Sequence, residues 1–354
     1  MSNFELVKNG LSITSRRQRF FLSVVSIGAG AILIPLSYIW IIQPLEIGLI
    51  APLFTFSILV LIQLSVIKAN HTLEIETRAV DASFGEFLRF SFPNVIFYNL
   101  LFLSVSIVVV LIDNISENIL LLGIGGNALI ISLLALMINW PGGTLLPIQG
   151  FRELDPEKYP KIMSVLERSN LEIHLIGFLP LRKIKVINAY QWGSKKNAVI
   201  AISDYLEQIL TEEEIAAVVA HELGHIKNHH FSKMIITLSI SPLILINFYC
   251  LYSIFDIYQY LNEVQMLLLL AILGFLALGV PLTVIPWISR RREVQADEYA
   301  ACLVGREIIA SALRKLVDNE VVFWDVDKRI EFLLSHPSIS KRVTTIEYSD
   351  SGEK

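Results

Sequence analysis

Charged residues are scarce in this sequence of 354 residues. Asp, Glu, Lys and Arg together make up 18% of it, whereas hydrophobic residues make up 54%. Soluble domains contain about 25% charged residues, so this balance excludes an ordinary soluble domain. The apolar excess is concentrated in long runs, which predicts a membrane protein.

Cysteine is also scarce, and positive charge is not in excess. Of the two cysteines, Cys250 falls in a predicted membrane span and Cys302 in a predicted cytosolic helix, so we expect no disulfide between them. Neither belongs to a Cys-x-x-Cys pair, so neither is a predicted metal ligand. The formal net charge is −4, and we therefore expect no nucleic-acid partner.

Six apolar runs have about the 20 residues that a helix needs to cross a bilayer. They cover residues 20–42, 47–67, 94–112, 118–139, 231–255 and 264–288. The third and fifth runs are interrupted by Asn99 and Pro242. The first run lacks a short apolar region that ends in a small-residue cleavage site, so we expect it to remain as an anchor.

Lysine and arginine are absent from the three short loops on one side of these spans, at residues 43–46, 113–117 and 256–263. The other side receives Arg16, Arg17, Arg19, Lys68, Arg78, Arg89 and Arg290–Arg292. Because Lys and Arg mark the cytosolic side of a membrane protein, the pattern predicts six spans with both termini in the cytosol.

The motif His221-Glu222-Leu223-Gly224-His225 has the pattern H-E-x-x-H and lies on a predicted helix at 211–230 that runs into the fifth span. Thr211 and Glu214 predict a capping box at its start. Histidines four residues apart share a helix face and can converge on one metal ion. Glu222 lies beside them, where a general base for a metal-activated water stands. The alternative is a surface helix with two solvated histidines.

A zinc ion held by two histidines is one protein ligand short. Glu293 and Asp297 are four residues apart on a predicted helix that opens just after the sixth span, on the same side of the membrane. Glu293 could complete the site while Asp297 holds the outer nitrogen of a ligand histidine. Spacing alone leaves open an exposed acid pair beside the arginine triplet.

The order of these motifs resembles the integral-membrane zinc metallopeptidases of the HtpX and CAAX prenyl protease type. Two further segments match that family: Asn188-Ala189-Tyr190 resembles its Asn-Ala-aromatic segment, and His336-Pro337 with Arg342 resembles its His-Pro-x-x-x-x-Arg segment. The resemblance covers roughly residues 187–343. The chain departs from the bacterial members in having four predicted spans before the domain, where they generally have two.

The resemblance implies a role for each matching residue. Zinc would be bound by His221, His225 and Glu293, with Glu222 as the catalytic base. Asn188 and His336 would contact the substrate near the scissile carbonyl. Asp297 would hold a zinc histidine, and Arg342 would brace the site. The strand around Ala189 would pair with an extended substrate.

The expected fold is a polytopic α-helical membrane protein of about six spans, with an α+β zincin-like metallopeptidase domain at the cytosolic face. Residues 1–139 would form a membrane region with four spans. Residues 140–230 and 289–354 would form the catalytic domain, interrupted by a two-span hairpin at 231–288. Within it we expect a helix at 155–169 and strands at 171–177, 183–190 and 198–203. The connector at 69–93 would either lie on the membrane surface or be a solvated linker.

The expected activity is hydrolysis of peptide bonds in membrane proteins or membrane-associated peptides at the cytosolic face. If prokaryotic, the protein would reside in the cell's inner membrane. The alternative is a membrane sensor-transducer whose zinc domain acts as a signalling switch. Of the remaining histidines, His229 continues the face of the motif, but a helix advances about 5.4 Å per turn, so it cannot reach the same ion. His230 is expected to be interfacial.

Overall fold

A computed structural model describes residues 45–78, 80–91, 119–139, 146–255, 280–319 and 339–348, together with short stretches between 257 and 272. This part of the chain is mostly helical. We label its α-helices α1 (Leu45–Arg78), α2 (84–91), α3 (Ile119–Asn139), α4 (Leu146–Gln149), α5 (Pro160–Ser169), α6 (Glu212–Lys227), α7 (His230–Ile254), α8 (Val280–Val304), α9 (Arg306–Asn319) and α10 (Ile339–Tyr348). The strands are β1 (Arg152–Glu153), β2 (Leu175–Leu179), β3 (Ala189–Trp192) and β4 (Val199–Ser203).

The four strands form one sheet in the order β1–β2–β4–β3. β2 and β4 are parallel, and β1 and β3 each pair antiparallel on the outer sides. β3 is therefore an edge strand in the part of the chain that the structure describes. Because α6 packs against β3 and β4, this edge lies next to the motif helix.

Several predicted elements form with shifted boundaries. β2 begins four residues later than predicted, where its partner β4 begins. β3 begins only at Ala189, because a 3-10 turn at Arg182–Ile184 ends in left-handed Lys185, with φ 54°. α5 begins at Pro160, since proline fits the first helical position, and not at residue 155.

The two faces of the sheet are both covered. Ile200 and Ile202 point to one side, into the main hydrophobic core with α5, α6, α9 and α10. Val199 and Ala201 point to the other side, into a second core that contains Leu146 and Leu179. The motif helix thus lies on a sheet that is supported from behind.

The connector between the second and third predicted spans supplies part of that support. Phe87 and Phe90 of α2 pack against the second core. The Lys183 ammonium donates to the Glu86 carboxylate at 2.7 Å, and the Gln149 amide donates to the Phe90 carbonyl at 2.9 Å. Phe87 and Phe90 thus pack on the domain, so this part of the connector is not a solvated linker, whereas Phe84 is exposed and a location on the membrane surface remains a prediction.

The sequence predicts that the motif helix runs directly into the fifth span, but the structure shows a break between the two helices. α6 ends at Lys227 with Asn228 as its C-cap, and α7 begins at His230. His229 between them is left-handed, with φ 54°, a conformation in which Asn, Asp and His are enriched among non-glycine residues. The reversal of φ redirects the chain, so residues after 229 do not follow the faces of α6.

One helix of the described residues is long and apolar enough to cross a membrane, at Leu53–Glu76, and a shorter apolar helix lies at Gly123–Leu136. They coincide in part with the predicted spans at 47–67 and 118–139. α7 coincides with the predicted span at 231–255. The predicted spans at 20–42 and 94–112 lie outside the described residues, so six spans remain a prediction.

α3 packs along α7 through small and polar residues. A Cβ added to Gly123 would lie 2.8 Å from the Cys250 sulfur, so the helices are in close contact there. The side-chain amides of Asn127 and Asn247 exchange two hydrogen bonds, of 3.0 and 2.8 Å. Close packing and interhelical hydrogen bonds of this kind hold helices together in membranes.

Candidate metal centre

α6 is fixed at its first turn by the predicted capping box. The Thr211 hydroxyl accepts from the Glu214 N–H, and the Glu214 carboxylate accepts from the Thr211 N–H at 2.8 Å. That carboxylate also accepts hydrogen bonds from the Ser311 hydroxyl and the Lys315 ammonium, each at 2.7 Å. Glu214 therefore ties the start of α6 to α9.

The glycine inside the motif sets the approach of α6 to α8. A Cβ added to Gly224 would lie 2.8 Å from the Ala296 Cα and 3.0 Å from the Ala296 carbonyl oxygen. The helices can therefore approach this closely only because residue 224 has no side chain. Ala296 lies between Glu293 and Asp297, so the contact positions both carboxylates relative to the motif.

Three potential ligands from these two helices meet at one point. The Nε2 atoms of His221 and His225 are 3.1 Å apart. The Glu293 carboxylate lies 3.5 Å from each of them, through Oε2 to His221 and through Oε1 to His225. All the ligand atoms lie within 4.8 Å of one another.

This cluster fits a zinc ion. Zinc–nitrogen and zinc–oxygen bonds of about 2.0–2.2 Å place two ligand atoms of a tetrahedral ion roughly 3.3 Å apart, which is close to the separations observed. Two imidazoles and one carboxylate also form a donor set of catalytic zinc sites, which keep the fourth position for water or substrate.

An ion-paired second layer stands behind His221. The Asp297 Oδ1 atom lies 2.9 Å from the His221 Nδ1 atom. The Arg342 guanidinium on α10 donates to both Asp297 oxygens, at 2.6 and 2.8 Å, and also lies 3.4 Å from Glu293 Oε2. Arg342 thus connects α10 to the carboxylates of α8 and, through Asp297, to the H-E-x-x-H motif on α6.

The surroundings move the pKa values of the two histidines in opposite directions. Burial opposes protonation of His221, but hydrogen bonds to Asp297 and Glu293 outweigh it and raise its pKa to about 10. Burial and the neighbouring charge of His221 lower the pKa of His225 to about 3. The carboxylates thus stabilise a positive charge on His221, whose extra proton would be released when zinc binds, whereas His225 is neutral.

The second-layer carboxylate is held ionised. Burial alone would raise the pKa of Asp297, but the charge and hydrogen bonds of Arg342 outweigh burial and lower that pKa to about 2. Asp297 in turn raises the pKa of Arg342 above its usual range, against the effect of burial.

His230 is the site residue that sequence reasoning missed. It is buried, with 4% of its surface exposed, and its Nδ1 atom lies 2.8 Å from the Nδ1 atom of His225. Its Nε2 atom lies 3.1 Å from the side-chain oxygen of Gln295. His229 is exposed instead. Helical spacing does not predict a contact between residues five apart, such as His225 and His230. The only sequence signal is Asn228-His229, two residue types that favour the end of a helix and a left-handed conformation.

The remaining predicted site residues lie in different surroundings. Glu222 is buried on α6 beside the two histidines. Asn188 is exposed immediately before β3, where its Oδ1 atom accepts from the Ala189 N–H at 3.0 Å. His336 lies outside the described residues.

Comparisons with known proteins agree with this geometry. A family model described as peptidase family M48 matches residues 163–350, more than half of the chain. Protease HtpX of Buchnera aphidicola is 32% identical over 189 residues, covering 46% of this chain and 63% of that protein. Protease HtpX of Pasteurella multocida is 25% identical over 215 residues, covering 54% of this chain and 71% of that protein. The chain thus spans just under two thirds of the first relative.

A solved structure shares the fold over nearly the whole chain. The crystal structure of Ste24p from S. mikatae matches with a TM-score of 0.68 and covers 96% of this chain and 88% of its own. The identity is 18%, so the likeness is one of fold. Together with the family model, it confirms the resemblance that the motifs indicate.

Proposed function

Because this chain belongs to peptidase family M48, we propose that it is a membrane-anchored zinc endopeptidase. Its substrates would be membrane proteins or membrane-associated peptides, which it cleaves at the cytosolic face. The observation that carries the proposal is the convergence of His221, His225 and Glu293 on one point, with buried Glu222 beside them.

Each residue of the centre has a distinct task in peptide hydrolysis. When bound by His221, His225 and Glu293, zinc would lower the pKa of a water molecule and polarise the scissile carbonyl. The Glu222 carboxylate accepts a proton from the attacking water and returns it to the leaving amine. Asn188 and His336 are the proposed donors to the developing oxyanion.

Asp297 and Arg342 hold the centre in place. The Asp297 carboxylate keeps the Nδ1 proton of His221 directed outward, so that Nε2 faces the metal position. Arg342 fixes Asp297 through two hydrogen bonds in a bidentate arrangement, which a lysine could not reproduce.

The edge of β3 is the proposed place for the substrate. The Asn188 carbonyl accepts from the Ser203 N–H at 3.0 Å, so residues 188 and 203 are a hydrogen-bonded pair. Because such pairs alternate along antiparallel strands, the backbone groups of Ala189 and Gln191 point away from β4. An extended substrate could pair with them. A backbone carbonyl of the substrate would accept from the Ala189 N–H in place of Asn188 Oδ1. The side-chain amide of Asn188 would then be free to donate to the substrate.

The next helix supports the proposed location beside the membrane. α7, which matches the predicted fifth span, begins five residues after His225. The centre would therefore lie close to the bilayer surface, within reach of juxtamembrane segments. The orientation toward the cytosol rests on the placement of Lys and Arg in the sequence.

The test is cleavage of fluorescent casein, an unfolded model substrate, by the purified full chain in detergent. Wild type should cleave many substrate molecules per chain. Glu222→Gln should keep its zinc but lose at least about 100-fold in rate, because it cannot accept the proton. Glu213→Gln, an exposed glutamate on the same helix, is the matched control and should behave as wild type.

The outcome also separates the peptidase from the sensor-transducer. A wild-type protein that binds zinc but cleaves no more than one substrate per chain would favour a switch. Equal cleavage by wild type and Glu222→Gln would show that the proposed chemistry is wrong.

A further inference from the structure

The two histidines of the motif have different partners at their outer nitrogens. His221 meets a carboxylate, Asp297, at 2.9 Å. His225 meets a third histidine, His230, at 2.8 Å between their Nδ1 atoms. A hydrogen bond between these two nitrogens contains one proton, so one ring donates and the other accepts.

The direction of that hydrogen bond decides whether His225 can bind a metal. If His225 donates through Nδ1, its neutral ring presents the Nε2 lone pair to the cluster. If His230 donates instead, the proton of neutral His225 must be on Nε2, which then cannot be a ligand. The hydrogen-bond partner at Nδ1 of His225 therefore determines whether Nε2 of His225 can bind a metal.

Gln295 favours the first arrangement. Its side-chain oxygen can only accept a hydrogen bond, and it lies 3.1 Å from His230 Nε2. A neutral His230 that donates from Nε2 has an unprotonated Nδ1, which accepts the proton of His225. Gln295 is on α8, two residues after Glu293, so one helix supplies both the third ligand and the anchor of this chain of hydrogen bonds.

The break after α6 makes the contact possible. In a continuous helix, residues five apart point about 140° from each other, since each residue turns about 100°. Left-handed His229 redirects the chain and returns the His230 ring to His225. Arg292 of α8 donates to the His230 carbonyl at 3.3 Å and holds the backbone at this place.

We propose that His230 is a positioning residue that accepts the Nδ1 proton of His225 and thereby directs Nε2 of His225 to the zinc position. The inference rests on the proposed zinc centre and extends it. His230 does not touch the metal or the substrate; it acts through His225.

The test measures zinc affinity by competition with a chromophoric chelator, using the purified full chain in detergent. His230→Leu removes the acceptor and should weaken zinc binding by roughly 10- to 100-fold, the range found for outer partners of zinc histidines. His230→Asn restores an acceptor oxygen close to the position of Nδ1 and should recover most of that loss. His229→Asn, an exposed neighbour in a conformation that Asn tolerates, is the control and should match wild type.

The other outcomes contradict either the role of His230 or the proposed zinc centre on which it rests. Wild-type affinity in His230→Leu would overturn the inference, and so would an equal loss in His230→Leu and His230→Asn, which would point to packing. The proposed zinc centre itself fails if wild type and His221→Ala bind zinc equally. That result is distinguishable, because it requires no variant of His230.

Discussion

At the scale of single residues, the centre is balanced for a divalent cation. Glu222, Glu293 and Asp297 contribute three carboxylates, and Arg342 is the guanidinium that contacts two of them. When all four are ionised, two negative charges remain, which a zinc ion would neutralise. Buried charges persist in proteins when they are paired or bind metals. Asp297 and Arg342 are therefore part of the charge balance of the metal site, although neither is a proposed ligand.

The buried ion pair predicts a large loss of stability when its cation is removed. Arg342→Met would leave the Asp297 carboxylate, 3% exposed, without its counter-charge, and should lower the free energy of unfolding by about 3–5 kcal/mol. Arg314→Met is the control, because Arg314 pairs with Glu347 with both side chains largely exposed, and should cost at most about 1 kcal/mol. Chemical denaturation in detergent measures both, and equal losses would contradict the prediction.

Sequence spacing predicted the two residue pairs of the centre, the family resemblance was needed to join them, and neither predicted His230. His221 with His225 and Glu293 with Asp297 are pairs four residues apart, and a helix brings such residues to one face. Spacing alone left open whether Asp297 belonged to the site; the resemblance implied that it holds a zinc histidine, and the structure shows that this histidine is His221. His230 could not be found in this way, because its contact depends on a reversal of φ at His229.

At the scale of elements, the centre depends on how closely α6 approaches α8. Gly224 faces Ala296 with no room for a side chain, and α8 carries Glu293 three residues before Ala296. At the other end of α6, burial alone would raise the pKa of Glu214. Hydrogen bonds from Lys315, Thr211 and Ser311 outweigh burial and lower it, which favours the charged form that joins α6 to α9.

Gly224→Ala tests this packing. Helix propensity alone would favour alanine by about 1 kcal/mol, but the new methyl group would meet backbone atoms of Ala296, and overpacking costs about 1–3 kcal/mol. We expect a lower thermal midpoint and weaker zinc binding, since α8 must move away with Glu293. Gly85→Ala, where a Cβ meets its nearest atom at 3.9 Å, should lose neither stability nor zinc. Full zinc affinity in Gly224→Ala would contradict the account.

Helix caps and periodicity predicted α6 well, whereas strand boundaries were less accurate. The Thr211–Glu214 capping box is confirmed, because it depends on residues three apart in one turn. Strand ends depend on partners distant in sequence: β2 starts where β4 does. The continuous helix into the fifth span was wrong for the local reason already given, the left-handed residue at 229.

At the scale of the whole molecule, the domain is assembled from distant segments. α2, which precedes two predicted spans, supports the sheet from behind, and the Phe90 ring lies 6.2 Å from that of Tyr190 on the edge strand β3. Polarity predicts that residues 140–230 and 289–354 form the water-facing domain. It could not identify α2 as part of the domain, because a short segment with an aromatic face is equally compatible with a membrane surface.

The native cysteines can test the orientation of the domain. Cys302 is exposed on α8 and Cys250 is buried on α7. If the domain faces the cytosol, a membrane-impermeant maleimide should label Cys302 in inside-out vesicles but not in right-side-out vesicles. Cys302→Ser should abolish the labelling, since burial protects Cys250. Labelling in right-side-out vesicles would contradict the predicted topology.

The most direct test of the central claim is the zinc content of two glutamate variants, measured by elemental analysis after purification. Glu293 is the proposed zinc ligand, and Glu222 is the proposed proton acceptor. We therefore expect one zinc per chain in wild type and in Glu222→Gln, and a clear loss of zinc in Glu293→Ala. Glu298→Ala, an exposed glutamate on the same helix, is the control and should keep its zinc. Full zinc in Glu293→Ala, or its loss in Glu222→Gln, would contradict the account.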